Sequence, residues 1–219
     1  MRISSHRWDL SPREAVALQK KLAGRVVRER RLGPVARVAG IDVGFCDGVA
    51  RAAVVVLSYP ELEVIDSVLA TRPVTFPYIP GLLTFREGPV ILDAMGKLGT
   101  VPDLLIFDGQ GIAHPRRLGI ASHIGLLLDL PSIGCAKSRL CGRHEEPCLE
   151  RGCHVLLIDH GEIIGEVVRT RSRVKPVFVS IGHRVDLSTG IEYVLACCRG
   201  YRLPETTRWA DRLAAGKRL

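Results

Sequence analysis

Three strand-like stretches follow one another in the first third of the chain without a helix between them. They cover residues 35–45, 50–58 and 62–70, are rich in Val and Ile, and are separated by Cys46-Asp47-Gly48 and Tyr59-Pro60. Such compositions favour strands, whereas Asp-Gly and Pro-containing pairs favour tight turns. The pattern therefore predicts an antiparallel meander, which commits this part of the chain to a sheet.

The rest of the chain alternates between helical and strand-like patterns. Ser11, Pro12 and Glu14 form a helix-start signature, with a capping box and a proline in the first turn. Helices are expected at residues 11–31, 87–98, 118–128 and 188–199, and strands at 103–107, 131–135, 155–159, 163–169 and 177–181. A meander followed by crossover units predicts an α/β fold with a mixed central β-sheet flanked by helices on both faces. We expect a single domain over residues 1–219.

Composition excludes several classes of protein. Hydrophobic residues make up 47% of 219 residues, which is enough for a sizeable core and excludes a wholly disordered chain. The apolar run at residues 52–57 is far too short to span a bilayer. The polar N-terminus lacks the apolar core of a secretory signal, so we expect a cytoplasmic protein with no membrane partner. A monomer is the default expectation. Lys and Arg outnumber Asp and Glu by 31 to 23, which indicates either a polyanionic partner or a solvated basic surface.

Seven cysteines are scattered along the chain. A crowded stretch invites a zinc hypothesis, but its C-x6-C-x4-C spacing lacks the short C-x2-C pair of most structural zinc sites. Its members are Cys141, His144, Cys148, Cys153 and His154. We expect reduced thiols, several of them buried.

Three carboxylates occupy positions that suit a metal-dependent hydrolase. Asp42 lies inside an apolar strand, where a charge is costly unless it is paired or bound to a cation. It shares one face with Gly40 and Gly44, which leaves room beside it, although a solvent-facing sheet edge explains it equally well. Asp108 ends a buried run and enters a glycine-rich loop, as ligand-facing carboxylates often do. Glu87 opens a predicted helix, where an acid also complements the helix dipole. Converging carboxylates on Mg²⁺ are the usual means of hydrolysing a phosphodiester.

Basic and aromatic residues add two further patterns. The loop after Asp108 contains His114, Arg116 and Arg117, which suit a phosphate-bearing substrate. An extended segment would aim a row of basic side chains to one side, either toward phosphates or as a solvated strand edge. This row comprises Arg169, Arg171, Arg173 and Lys175. The rigid turn at residues 77–81 presents Tyr78 either as a wedge for a base stack or as a core residue, and the residues alone favour the core.

Five motifs, in this order, are similar to those of bacterial endonuclease V. They are VAGIDVGF, PYIPGLLTFRE, DGQGIAHPRRLGIASHIGLLLDLPSIGCAKSRL, SIGHRVDL and YRLPETTRWAD, and the resemblance runs from about residue 15 to residue 211. It implies a ribonuclease H-like fold. It also implies a DNA repair endonuclease, dependent on Mg²⁺ with Mn²⁺ as a substitute, that recognises deaminated bases, chiefly deoxyinosine. Such an enzyme cuts the second phosphodiester bond 3′ to the lesion.

The resemblance also implies roles for individual residues. Asp42 and Asp108 would be the principal metal ligands, with Glu87 completing the acidic site. Asp211 stands at a fourth acidic position, where some relatives have His. Lys137 would lie near the scissile phosphate, and His114 would belong to the catalytic loop. The expected lesion-recognition residues are Tyr78 as the wedge, Ile79, Pro80, and the glycines Gly81, Gly109 and Gly111, which let backbone approach the base.

Three alternatives stay open at this point. The same chemistry could act on inosine in single-stranded RNA. A non-catalytic nucleic-acid-binding protein could use the same fold, although Asp42, Glu87 and Asp108 are all present. A small-molecule phosphatase could use these carboxylates but would not need a basic strand or an aromatic wedge.

Overall fold

The computed structural model describes residues 6–218, which build an eight-stranded sheet and five α-helices. The strands are β1 (Arg37–Cys46), β2 (Val49–Ser58), β3 (Val64–Pro73), β4 (Leu104–Phe107), β5 (Ser132–Ala136), β6 (His154–Asp159), β7 (Glu162–Val168) and β8 (Val177–His183). The helices are α1 (Pro12–Ala23), α2 (Leu83–Gly96), α3 (Ile120–Leu128), α4 (Leu187–Ala196) and α5 (Glu205–Ala214).

The sheet is mixed, as the sequence predicts. Its strand order is β3-β2-β1-β4-β5-β8-β7-β6. The first three strands form the expected antiparallel meander, and β1, β4 and β5 are parallel neighbours. The last three strands add an antiparallel half next to β5. The predicted α/β fold with a mixed sheet is confirmed.

Helices cover both faces of this sheet. On one face, α4 and α5 pack against buried residues such as Val38, Leu104 and Val179. On the other face, α2 and α3 pack against alternate residues of the same strands, including Ile41 and Phe107. Because β4 is covered on both faces, all four of its residues are buried, which explains its uninterrupted apolar sequence.

Two predicted helix boundaries are wrong. Helix α1 begins with the expected capping box of Ser11 and Glu14 but ends at Ala23 rather than Arg31, and Gly24 provides its C-cap. Helix α2 begins at Leu83, four residues before its predicted start, and Pro89 lies inside it. Glu87 is consequently a buried residue in the body of α2 and does not complement its dipole.

Helix α5, which the sequence analysis did not predict, fills the space expected beside Asp42. A Cβ on Gly40 would lie 2.0 Å from the backbone oxygen of Thr206, and one on Gly44 would lie 3.3 Å from that of Ala214. The glycines of β1 therefore let the backbone of α5 approach the strand closely. This close approach carries Asp211, on α5, toward Asp42.

No helix within residues 6–218 is long and apolar enough to cross a membrane.

Substituting Gly40 by Ala should lower the free energy of unfolding by about 1–3 kcal/mol, because the added methyl group forces α5 away from β1. The matched control is Gly24→Ala, since a Cβ at Gly24 meets no atom within 4 Å. Urea denaturation of both variants checks this expectation. A Gly40→Ala protein as stable as the control would show that α5 is not packed as described.

Candidate active site

Asp42 and Asp108 lie side by side because β1 and β4 are parallel neighbours. Ile41 is paired with Phe107 in the register of the two strands, so the next residue on each is an aspartate. The backbone N–H of Asp108 donates a hydrogen bond to the carbonyl of Ile41 at 3.2 Å, which continues the ladder to this point. Asp108 therefore lies at the end of its strand, as predicted, and is the acidic residue next to Asp42 along the sheet.

Glu87 and Asp211 bring two further carboxyl groups to the same place from two helices. Burial, followed by repulsion from Asp108 and Asp211, raises the pKa of Asp42 to about 6. Burial, followed by repulsion from Asp42, raises the pKa of Glu87 to about 8. Both shifts mean that burial, together with mutual repulsion, disfavours the ionised carboxylates, and that a cation among them would be favoured.

Lys137 supplies one positive charge to this group from the loop that follows β5. Its ammonium contacts the Asp108 carboxylate and lies 3.9 Å from Asp211 Oδ1. Partial burial acts to lower the Lys137 pKa, but the hydrogen bond to Asp108 and the surrounding carboxylates raise it above its usual value. Lys137 therefore stays charged and offsets part of the acidic repulsion.

The four carboxylates suit a hard divalent cation by their chemistry. Such ions prefer oxygen ligands, keep several water molecules and need few protein carboxylates. Within the described residues 6–218, no group of three His, Cys, Asp or Glu side chains is already arranged to hold a metal ion. The donor set and the raised pKa values of Asp42 and Glu87 fit a cation, whereas a closed ligand cage is not preformed.

A cavity of about 320 Å³ opens next to this acidic site and shares Asp108 and Lys137 with it. Its wall includes the rigid turn at residues 77–81 and the N-terminus of α3. Among the predicted lesion-recognition and loop residues, it brings together Tyr78, Ile79, Pro80, Gly81, Gly109 and His114. The expectation that Tyr78 tucks into the core is wrong, because its side chain is 69% exposed at this cavity.

The backbone carbonyl of Gly81 anchors the rigid turn. It accepts hydrogen bonds from His114 Nε2 at 2.9 Å, from Arg116 at 2.6 Å and from Gln19 Nε2 at 3.0 Å. Arg116 also donates to Gln19 Oε1 at 2.6 Å. Because these partners come from two different segments of the chain, the turn is fixed in place and its exposed tip is not a flexible loop.

His114 and Arg116 are occupied by this anchoring. His114 is buried, and its Nδ1 accepts from the Arg116 backbone N–H at 3.1 Å while Nε2 faces Gly81, which fixes a neutral Nε2–H ring. The Arg116 guanidinium donates hydrogen bonds to Gln19 and to the Gly81 carbonyl, so Arg116 is a positioning residue. Arg117 is likewise bound to Asp159 at 3.0 Å and Glu162 at 2.6 Å.

Gln19 is a site residue that the sequence analysis missed. It is buried on α1 and donates to both Gly81 and Leu118. A usable signal was present, since Gln19 lies four residues after Ala15 and three before Leu22, on the apolar face of the helix.

The three predicted glycines have different roles. Gly81 has φ +79°, a left-handed conformation that other residues rarely adopt. Gly109 lines the cavity. Gly111 does not line it, and a Cβ there would lie 2.0 Å from the Ile181 backbone oxygen. Gly111 is therefore required for packing against β8 rather than for access to a base.

The predicted row of basic side chains is wrong in its geometry. Strand β7 ends at Val168, and residues 171–174 form a turn, so the alternating residues do not share one side of an extended segment. Arg169 is buried and donates to the carbonyls of Cys148, Pro147 and Val174. Arg171 and Arg173 are exposed, but they no longer form a row with Arg169.

The cysteines are partly as expected. Cys135, Cys197 and Cys198 are buried free thiols, whereas Cys148 and Cys153 form a disulfide, which corrects the prediction of reduced thiols throughout. This disulfide uses two of the five crowded Cys and His residues of that stretch.

Comparison with known proteins identifies relatives over nearly the whole chain. The family model described as Endonuclease V matches residues 20–212. Endonuclease V of Nostoc punctiforme is 55% identical over 215 residues, covering 97% of each chain. The crystal structure of Endonuclease V from Streptomyces avermitilis is 44% identical with a TM-score of 0.91, covering 97% of this chain and 95% of its own.

A more distant relative was crystallised with nucleic acid. Endonuclease V of Ciona intestinalis, in complex with a 24mer DNA containing an inosine followed by a ribo-adenosine, is 27% identical with a TM-score of 0.80. The match covers 93% of this chain and 96% of that one. Together with the Streptomyces avermitilis structure, this likeness confirms the ribonuclease H-like α/β fold expected from the motifs.

The His114 ring should remain neutral until the pH falls to about 4. Burial, with the nearby Arg116 and Arg117 charges, lowers its pKa to about 4, against the opposing hydrogen bond to Gly81. An unfolded chain protonates this ring near pH 6.5. His114 therefore makes the folded protein less stable as the pH falls from about 6.5 to about 4, and His114→Gln should lack this part of the dependence. NMR titration of the ring nitrogens tests the assignment, and protonation near pH 6.5 would refute it.

Proposed function

The chain belongs to the endonuclease V family of metal-dependent DNA repair nucleases acting on deaminated bases, and we propose that it cuts DNA at deoxyinosine. The bond that we assign to it is the second phosphodiester 3′ to the lesion, and the ion is Mg²⁺, with Mn²⁺ as a substitute. One observation carries this proposal: the cavity and the acidic site share Asp108 and Lys137. A base held in the cavity thus places its own strand over the carboxylates.

The cavity has the features needed to receive an unstacked base. Gln110 lines it and donates to the Ser138 carbonyl at 2.8 Å, while its Oε1 is buried without a hydrogen-bond partner within residues 6–218. A base edge with an N–H donor, as hypoxanthine has at N1, would satisfy this oxygen. The exposed Tyr78 ring, held by the anchored turn, is suited to fill the gap that the extruded nucleotide leaves in the stack.

The acidic residues have a common task in this proposal. Asp42 and Asp108 would hold the cation, Glu87 would complete its environment, and Asp211 would contribute from α5 directly or through water. When bound, a divalent cation polarises the scissile phosphate and lowers the pKa of its water. Lys137, charged and adjacent to Asp108, offsets the negative charge that develops on the phosphate in the transition state.

Several basic and histidine residues act indirectly in this proposal. His114 and Arg116 fix the rigid turn through Gly81 and therefore position the cavity wall. Arg171 and Arg173 remain candidates for phosphate contact because they are exposed, whereas the buried Arg169 supports its loop. We further propose that residues 1–219 form one catalytic domain, since the described strands form one continuous sheet. We also propose that the enzyme acts as a monomer in the cytoplasm.

Inosine in RNA is a second candidate substrate. The Ciona relative was crystallised with a DNA strand whose inosine is followed by a ribonucleotide. Parallel cleavage assays on matched inosine-containing DNA and RNA strands decide between the two, and cleavage of RNA alone would replace our DNA assignment.

Asp42→Asn or Asp108→Asn should slow cleavage of inosine-containing DNA by at least about 100-fold, because each removes a charge from the set that holds the cation. Binding of the same DNA should survive, since both carboxylates repel phosphate. Gel assays of cleavage and fluorescence anisotropy of binding measure the two quantities.

The matched control is Asp93→Asn, which removes an exposed aspartate paired with Arg72 away from the site. It should cleave like the wild type. Full Mg²⁺-dependent turnover by either the Asp42 or the Asp108 variant would contradict the assignment.

Tyr78→Ala should weaken binding to inosine-containing DNA by about 5-fold or more while leaving undamaged DNA nearly unaffected, because only the damaged strand loses a stacking partner. Tyr78→Phe keeps the ring and should bind like the wild type. Competition binding with paired oligonucleotides measures the ratio, and an equal loss on both DNAs would argue against a wedge.

A further inference from the structure

A second pocket, of about 460 Å³, shares Lys137 with the cavity but none of the cavity's other lining residues. We call it the basic pocket, because five of its eight lining residues are Lys or Arg and a single one, Asp211, is acidic. Its remaining wall comes from the segment before α5 and from the C-terminal end of the chain. The two openings therefore meet at Lys137, with the acidic site between them.

Tyr201 forms a fixed aromatic surface in the basic pocket. Its side chain is 51% exposed, and the Arg208 guanidinium lies 3.4 Å from the ring centroid. Arg208 is itself fixed by two hydrogen bonds to the Glu205 carboxylate, at 2.6 and 2.7 Å. An aromatic ring supported on one face by an arginine is the kind of surface on which nucleobases stack without regard to sequence.

Positive charge surrounds this ring. Arg212 and Lys217 are exposed, and neither forms an ion pair with a carboxylate in the part of the chain from residue 6 to residue 218. Cationic side chains without carboxylate partners are available for phosphate groups. The basic pocket thus combines a stacking surface with phosphate-binding charge.

Hydrogen bonds from Arg202 also link the basic pocket to the acidic site. Arg202 donates to the backbone carbonyl of Lys137 at 2.6 Å and to that of Pro176 at 2.8 Å. The segment that presents Tyr201 is therefore fastened to the residue that we place at the scissile phosphate. Lys137 and Tyr201 line the same pocket, so a strand that leaves this phosphate enters the pocket that contains Tyr201.

We propose that the basic pocket binds the nucleotide on the 3′ side of the cleaved bond. Tyr201 stacks on its base, and Arg212 and Lys217 contact its phosphates. This assignment rests on the proposed function, because the lesion in the cavity and a cut 3′ to it set the direction of the strand. The pocket holds the 5′-phosphate product, and its contacts are independent of base identity.

The test compares three fluorescent single strands that carry the same inosine, with binding measured by anisotropy in EDTA so that no strand is cut. The full strand has six nucleotides beyond the scissile bond, the second ends at that bond, and the third lacks the nucleotides 5′ of the lesion. Wild type should bind the full strand and the 5′-truncated strand about 5-fold or more tighter than the 3′-truncated one.

Variants assign this difference to the pocket. Tyr201→Ala should weaken binding of the full strand by about 5-fold or more and leave the 3′-truncated strand unchanged, whereas Tyr201→Phe should restore wild-type binding. The double variant Arg212→Gln/Lys217→Gln should reduce the salt dependence of binding to the full strand alone. Leu156→Ala, at an exposed position on β6, is the matched control, and thermal unfolding verifies that each variant folds.

Two outcomes would overturn the proposal: Tyr201→Ala weakening both strands equally, or an affinity that depends on the 5′ rather than the 3′ extension. Replacing inosine by guanine separates this test from that of the proposed function. If the proposed lesion recognition is wrong, the wild type binds inosine and guanine strands equally well. The tighter binding of strands that extend beyond the scissile bond, and its loss in Tyr201→Ala, would still be seen with the inosine and the guanine strands.

Discussion

The parallel pairing of β1 with β4 is the constraint on which the whole site depends. It sets Asp42 beside Asp108 at the end of a strand that is buried on both faces. Two carboxylates held together in a poorly solvated place destabilise each other, as the raised pKa of Asp42 records. Lys137 compensates part of this repulsion, and a divalent cation compensates more. The paired carboxylates are unfavourable on their own, and this cost is explained if the site binds a cation and a phosphate.

The remaining elements adapt to that pairing. The glycines of β1 admit α5 and its Asp211, while α2 carries Glu87 from the opposite side of the strand end. The rigid turn is fastened through the Gly81 carbonyl, which allows an aromatic ring to stay exposed at the cavity. Exposure of Tyr78 is thus maintained by buried polar contacts behind it rather than by its own packing.

Much of this could be read from the sequence, and the failures have physical causes. The meander, the mixed sheet and the strand-end position of Asp108 follow from local patterns of apolar residues and turns. Helix α5 was missed although Pro204 and Glu205 are an adequate start signal, because its apolar residues are few. Helix α2 begins at Leu83 rather than at the predicted residue 87, since Thr84 and Phe85 are buried as part of its packed face. The predicted row of basic side chains required an extended chain from Arg169 onward, and the turn at residues 171–174 breaks that extended chain. Long-range contacts, such as those of Gln19, have no local signature beyond a polar residue on an apolar face.

The net positive charge of +8 now has a structural interpretation. It is not spread along one strand, and part of it gathers in the basic pocket beside the acidic site.

The central claim is that the paired carboxylates, with a divalent cation, cut a strand whose inosine lies in the cavity. Mapping the products of an inosine-containing oligonucleotide, with Mg²⁺ and with EDTA, tests it most directly. The account predicts a single Mg²⁺-dependent cut at the second phosphodiester 3′ to inosine. Cleavage in EDTA, or cuts placed without regard to inosine, would contradict it.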